Sequence, residues 1–143
     1  MMQAEPGAVP RSASLSVEAL LVLPVLLVVI LGGIELGLLL SARHQLFGAC
    51  REVGRLAALG HDRPQLASIL VQYLGESKSA NAELIIADEH GQTVHSPREI
   101  PAGRPVMVIV RLPATCAAPD LLRLVGFSLR NQILEVQTVW RRE

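Results

Sequence analysis

The chain has 143 residues, enough for one small domain plus an anchor, and half of its residues are hydrophobic. Its 13 basic and 13 acidic residues balance to a formal net charge of zero, and aromatic residues make up only 3%. These figures exclude a strongly basic nucleic-acid surface and an aromatic platform for single-stranded nucleic acid, so no nucleic-acid partner is expected.

The most apolar segment lies near the N-terminus. From Ala19 to Leu40, all 22 residues are apolar or glycine except Pro24 and Glu35. A helix of this length spans about 33 Å, close to the hydrocarbon thickness of a bilayer. The core of a cleaved signal peptide is shorter, roughly 7–15 residues, and a buried soluble helix would need more apolar surroundings than this chain offers. We therefore predict a single transmembrane helix over residues 14–42.

The basic residues beside this segment bear on its orientation. Arg11 precedes it, whereas Arg43, Arg51 and Arg55 follow it. A plain count under the positive-inside rule places the C-terminal part of the chain in the cytoplasm. The family resemblance described below implies the opposite side, and the sequence leaves this conflict open.

Helical periodicity continues after the span, in a juxtamembrane region over residues 43–76. Apolar residues recur at three- and four-residue steps from Leu46 to Ala57, with polar side chains on the other side. Gly60 is placed to end this amphipathic helix. A second helix within "PQLASILVQYLGES" is predicted to stop at Gly75. Its apolar face comprises Leu66, Ile69, Leu70, Tyr73 and Leu74.

Strand patterns take over in residues 77–143, which predict a small α+β domain. "AELIIADEHGQTVHS" is typical of a hairpin that turns at residues 89–92. The β-branched run from Val106 to Val110 is the clearest strand, and "FSLRNQILEVQTVWRRE" also alternates as a strand. Between them a short helix is expected to open near Asp120. The predicted fold is α+β, with one long N-terminal helix, a second helix and an antiparallel sheet of three or four strands.

The chain lacks the sequence patterns that carry enzymatic or cofactor chemistry. It contains no P-loop, dinucleotide-binding, zinc-protease or nucleophile-elbow motif. Cys50 and Cys116 are too far apart in the sequence for CxxC chemistry, and two thiols alone make no zinc site. They form either one disulfide in an oxidising compartment or two small, partly buried thiols. We expect no catalytic residue, no metal and no cofactor.

Two glutamates accompany the apolar run. Glu18 stands at its edge, where a carboxylate in a first helical turn is favoured by the helix dipole. Glu35 lies deeper, where a charge costs about 2.5–3.5 kcal/mol on insertion scales. Its simplest interpretation is a snorkelling residue paired with Arg43, two turns further on.

A proline and three glycines also interrupt the apolar run. Pro24 removes one helix hydrogen bond and kinks or loosens the helix, which transmembrane helices tolerate. Gly32 and Gly33, together with Gly37, either allow close approach of another helix or only loosen the helix locally.

The segment "RSASLSVEALLVLPVLLVVILGGIELGLLLSARHQLFGACREVGRLAALG" resembles the N-terminus of TadE-like proteins, the pseudopilins or minor pilins of the tight-adherence (Tad/Flp) type IV pilus system. The matching pieces are a short leader with Arg11, the "VE…LVLP…GGIE" arrangement, and a polar helix containing "ACREVGRLA". They extend from Ser12 to about Gly60. The rest of the chain agrees in layout alone, a small pilin-like α+β domain that ends in a strand.

The resemblance implies processing by a prepilin peptidase, which cuts before the apolar helix and leaves a glutamate fifth in the mature chain. Residues 1–13 would then be the leader, cleavage would fall between Ala13 and Ser14, and Glu18 would be that glutamate. Its carboxylate would neutralise the new α-amino group of a neighbouring subunit. The family pattern usually has glycine before the cut, where this chain has Ala13.

The resemblance further implies a single-pass protein of the bacterial inner membrane with a periplasmic C-terminal domain. Its role would be to support assembly of Flp-type pili for adherence and biofilm formation. The implied partners are other pseudopilins, the Flp-type pilin, the inner-membrane assembly platform, the prepilin peptidase and the lipid bilayer. The alternative is an unprocessed single-span envelope protein that acts as a protein-binding accessory subunit.

Overall fold

A computed structural model describes residues 11–143, with side chains described from Glu18 onward. The helices are α1 (Arg11–Ala58), α2 (Arg63–Leu74), α3 (Glu76–Ser79) and α4 (Ala114–Ala117), with 3₁₀ helices at Pro97–Glu99 and Leu121–Val125; the strands are β1 (Glu83–Ala87), β2 (Pro105–Pro113) and β3 (Ile133–Arg141). The predicted α+β class is therefore confirmed. Most of the predicted leader, residues 1–10, lies outside the described residues.

Helix α1 is one continuous helix of 48 residues. The predicted transmembrane and juxtamembrane helices are thus parts of a single element, and the proposed division at residues 42 and 43 falls inside it. The helix ends as the sequence predicts, at Gly60, whose φ is 78°. The Gly60 N–H donates to Ala57 O at 3.0 Å and the His61 N–H donates to Leu56 O at 3.1 Å, which is the pair of bonds that defines a Schellman C-cap.

The three strands form one antiparallel sheet in the order β1-β2-β3. Residues of β2 alternate strictly between buried and half-buried positions, because one face of the sheet packs against the helices. The predicted hairpin after β1 does turn, but its return limb is a single bridge between Ala87 and Thr93. The return limb stays short because Pro97, which has no N–H to donate to a strand ladder, begins a 3₁₀ helix there.

The main hydrophobic core lies between the sheet, α2 and the C-terminal part of α1. The buried residues are Leu46, Ala49, Cys50, Val53 and Ala57 from α1, Leu66, Leu70 and Leu74 from α2, and Leu84, Ile86, Ile100, Val106, Val108, Val110, Leu112 and Val136 from the strands and their connections. At Gly54, α1 approaches β3 so closely that an added Cβ would lie 2.5 Å from Trp140 Cδ1. This core holds one end of α1 and leaves the other end projecting from the domain.

Candidate functional site: the apolar helix and its buried carboxylate

The projecting part of α1 exposes an almost wholly apolar surface. Its large exposed side chains are Leu20, Leu21, Val22, Leu23, Val25, Leu26, Leu27, Val29, Ile30, Ile34, Leu36, Leu38 and Leu40. A patch of this size is far larger than a soluble monomer tolerates in water. The helix is long and apolar enough to cross a membrane, as the sequence predicts.

Glu35 is the one buried charged residue among the described side chains, and it is only 3% exposed. Its Oε2 accepts the backbone N–H of Leu121 at 2.9 Å and of Leu122 at 3.0 Å. These N–H groups open the 3₁₀ helix Leu121–Val125, where they have no partner within the helix. The carboxylate therefore acts as a helix cap supplied from a distant part of the chain.

This partner differs from the one expected from the sequence. The sequence predicts a snorkelling Glu35 paired with Arg43, whereas its carboxylate faces the protein and Arg43 is exposed at the end of the apolar run. The sequence did not predict Leu121 and Leu122 as partners, because they bind Glu35 through backbone N–H groups, which do not depend on the type of side chain. The only signal was the presence of Glu35 in an apolar run.

Apolar contacts also hold the loop that contains Leu121 and Leu122 against α1. A Cβ added to Gly32 would meet Leu122 Cδ1 at 3.5 Å, an ordinary contact distance. Leu39 packs against a small buried cluster of Ala114, Ala118 and Leu129. A cavity of about 120 Å³ remains beside Glu35, lined by Gly32, Glu35, Leu36, Leu39, Leu122, Phe127 and Leu129.

The glycines of the apolar run divide into two kinds. Gly32 faces Leu122 of the same chain, whereas a Cβ at Gly33 or Gly37 would meet none of the described residues within 4 Å. Gly33 and Gly37 therefore form a strip on α1 where the helix backbone is exposed and open to another helix. Pro24 lies inside α1 and does not end the helix.

The residues implied in processing lie at the start of α1. Ala13 and Ser14 fall within its first turn, and Glu18 is exposed at the start of the described side chains. The roles assigned to these three residues stay predictions.

The two cysteines are free thiols in the structure, so the candidate disulfide is not formed there. Cys50 lies in the main core, and its Sγ is 3.5 Å from both Val108 O and Val136 O, which share its one S–H hydrogen. Burial raises the pKa of the Cys50 thiol to about 11, against a smaller lowering by the backbone of Val110. Cys116 is half-buried at the edge of the same core.

A groove of about 510 Å³ lies where the apolar run ends and α1 meets β3. It is lined by Leu40, Arg43, His44, Phe47, Glu135, Val136 and Gln137. Within the described part of the chain, no group of three or more His, Cys, Asp or Glu side chains is placed to hold a metal ion. The strongest candidates for a functional site are thus the apolar part of α1 and the loop bound to Glu35.

Comparison with known families supports the resemblance found in the sequence. Residues 13–55 match the family model described as TadE-like protein. The matched segment contains Glu18, Pro24 and Glu35, but not the loop that Glu35 caps. No significant match was found to a curated protein or to a solved structure.

Proposed function

From the TadE-like match over residues 13–55, we propose that this protein is a membrane-anchored pseudopilin, or minor pilin, that supports assembly of Flp-type pili in a Tad system. Through those pili it would serve adherence and biofilm formation. The observation that carries the proposal is the exposed apolar part of α1, which runs without a break into a small α+β domain. Such a subunit is held in the bilayer by its helix and presents its domain in the cell envelope.

Glu18 has the assembly role in this proposal. Cleavage between Ala13 and Ser14 would make it the fifth residue of the mature chain. Its exposed position at the edge of the apolar run suits a carboxylate that pairs with the α-amino group of a neighbouring subunit. Pairing two charges at the edge of the bilayer offsets the desolvation of each.

Lateral packing of subunits would use the free face of α1. A Cβ added at Gly33 or Gly37 would meet no other part of the described chain within 4 Å, and exposed aliphatic side chains lie along the same helix. Small residues at this spacing let two helix backbones approach closely within a membrane. This surface suits the helices of other pseudopilins and of the Flp-type pilin.

The proposed role is structural, with no catalytic step and no cofactor. Besides like subunits, the partners would be the inner-membrane assembly platform, the prepilin peptidase and the bilayer itself. We place the C-terminal domain in the periplasm, where a pilus subunit is assembled. This orientation requires Arg43, Arg51 and Arg55 to lie on the periplasmic side, against a plain positive-inside count.

The mature N-terminus tests the proposal. The protein is extracted from membranes of host strains with and without the prepilin peptidase, and its intact mass is measured. We expect a chain that begins at Ser14 only when the peptidase is present. The variant Ala13→Gly, which restores the family residue before the cut, is the matched control for a competent peptidase.

An intact leader on the wild-type chain in both strains, with Ala13→Gly cleaved, would contradict pilin-type processing. It would favour the alternative, an unprocessed single-span accessory subunit, which the alanine at position 13 itself suggests. A C-terminal alkaline phosphatase fusion tests the orientation separately, since the enzyme is active only in the periplasm.

A further inference from the structure

The loop formed by residues 119–130, between α4 and β3, carries an exposed apolar tip. Leu124 is 94% exposed, Phe127 is 69% exposed and Val125 is 59% exposed. We propose that this tip inserts into the same lipid bilayer that α1 crosses, so that both α1 and the loop anchor the protein in the membrane. The proposal rests on the membrane span of the proposed function and goes beyond it.

The depth of the loop along α1 is the main argument. Its contacts with α1 are at Gly32, Glu35 and Leu39, and Gly32 lies about 12 Å before Leu40 along the helix axis. If the loop stayed in water, only residues 19–31 of the apolar run would remain for the bilayer. They span about 20 Å, against about 30 Å of hydrocarbon. The full apolar run, residues 19–40, is long enough to cross this layer. If the whole run lies in the bilayer, the loop that contacts Gly32 and Glu35 lies within the bilayer too.

The backbone of the loop is suited to this depth. Backbone polar groups that enter the hydrocarbon layer must find hydrogen-bond partners within the protein. Glu35 accepts the N–H groups of Leu121 and Leu122, and the Phe127 N–H donates to Leu122 O at 3.2 Å. The N–H of Gly126 also donates to a carbonyl of the same turn. This explains why a carboxylate stands inside an apolar run.

Polar groups lie at the base of the loop and apolar groups at its tip. The Ser128 hydroxyl donates to Asp120 Oδ2 at 3.0 Å and the Leu129 N–H donates to Asp120 Oδ1 at 3.2 Å, which closes the base. Arg123 and Arg130 are both exposed. Their long side chains can bring the guanidinium groups to the headgroups while the aliphatic stems stay in the apolar layer.

Spin-label accessibility tests the position of the tip. The full-length protein is placed in liposomes of phosphatidylethanolamine and phosphatidylglycerol, with a nitroxide on Leu124→Cys in a Cys116→Ser background. Cys50 stays unlabelled because it is buried in the core. Matched controls carry the label at Val25→Cys, on the exposed part of α1, and at Val139→Cys, on the outer face of the sheet. Collision rates are measured with oxygen, which concentrates in lipid, and with a water-soluble nickel chelate.

We expect the label at position 124 to behave like the label at Val25, with high oxygen accessibility and a nickel accessibility several-fold below that at Val139. Nickel accessibility equal to that at Val139 would place the tip in water and overturn the proposal. Protection from both reagents would mean that a protein surface covers the tip, which also overturns it. Exposure of Val25 itself to nickel would reject the membrane span, and the proposed function with it.

Discussion

Glu35 and Leu122 stand 87 positions apart in the chain and are joined by a hydrogen bond of 3.0 Å from the Leu122 N–H to the Glu35 carboxylate. The same oxygen accepts the N–H of Leu121. These two bonds attach the loop before β3 to a helix that is otherwise aliphatic and exposed. They set the level of the loop along α1.

Removing this carboxylate should release the loop. Glu35→Ala leaves the Leu122 N–H without a partner, at a cost of about 1–3 kcal/mol, and leaves the Leu121 N–H with Pro119 O alone. Glu35→Gln keeps one acceptor oxygen in place. In detergent-solubilised protein, trypsin should cleave after Arg123 fastest in Glu35→Ala, more slowly in Glu35→Gln and slowest in the wild type. Equal cleavage rates in all three proteins would contradict the capping role.

The close approach of α1 to β3 predicts a strong effect at Gly54. In Gly54→Ala the new methyl group would overlap Trp140 Cδ1 and Thr138 Cγ2, at 2.5 and 2.6 Å, so the helix or the strand must shift. We expect a loss of about 1–3 kcal/mol in the free energy of unfolding, measured by urea denaturation followed by circular dichroism.

The matched control for Gly54 is Gly48→Ala on the same helix, where the added Cβ would meet the Tyr73 ring at an ordinary 3.6 Å. Alanine also has the higher helix propensity, by about 1 kcal/mol, so this variant should be as stable as the wild type or more so. Equal stability of the two variants would refute the proposed steric contact at Gly54.

The two thiols should differ in reactivity. Cys50 is fully buried, and its pKa of about 11 keeps it protonated at pH 8, whereas Cys116 is only half-buried. Iodoacetamide at pH 8 should therefore add one group to the folded protein and two to the denatured protein, as read by mass spectrometry. The absence of any adduct on unreduced, denatured protein would instead show a disulfide between Cys50 and Cys116.

The raised pKa of Cys50 also predicts a loss of stability at high pH. The pKa of the thiol is near its ordinary value of 9.0 in the unfolded chain and is raised to about 11 by burial in the folded protein. The stability that comes from keeping this thiol protonated is thus fully present below pH 9 and is lost as the pH rises toward 11. The free energy of unfolding should fall by roughly 2–3 kcal/mol in total over this interval. Between pH 8 and 10.5, the free energy of unfolding should fall further in the wild type than in Cys50→Ala. Parallel curves for the two proteins would rule out this linkage.

Most elements of the fold could be predicted because their signals are local. Apolar spacing marks α1 and α2, Gly60 and Gly75 end them, and a β-branched run from Val106 to Val110 marks β2. The sequence predicts a strand for the return limb after β1, whereas the structure has a single bridge there. The length of the return strand depends on where the segment after the turn packs in the fold, and the periodicity of the sequence does not reveal that packing.

Hydropathy, helix period and short motifs are properties of neighbouring residues, so the sequence alone predicts the apolar helix, its continuation into a polar helix and the resemblance to TadE-like proteins. The partners of Glu35 and the need for glycine at position 54 depend instead on the three-dimensional fold. The partners of Glu35 are backbone N–H groups that every residue except proline carries, and those of Gly54 lie on a strand more than 80 residues away. Such pairings are set when the core brings α1 beside β3 and the loop before it, so no local pattern could reveal them.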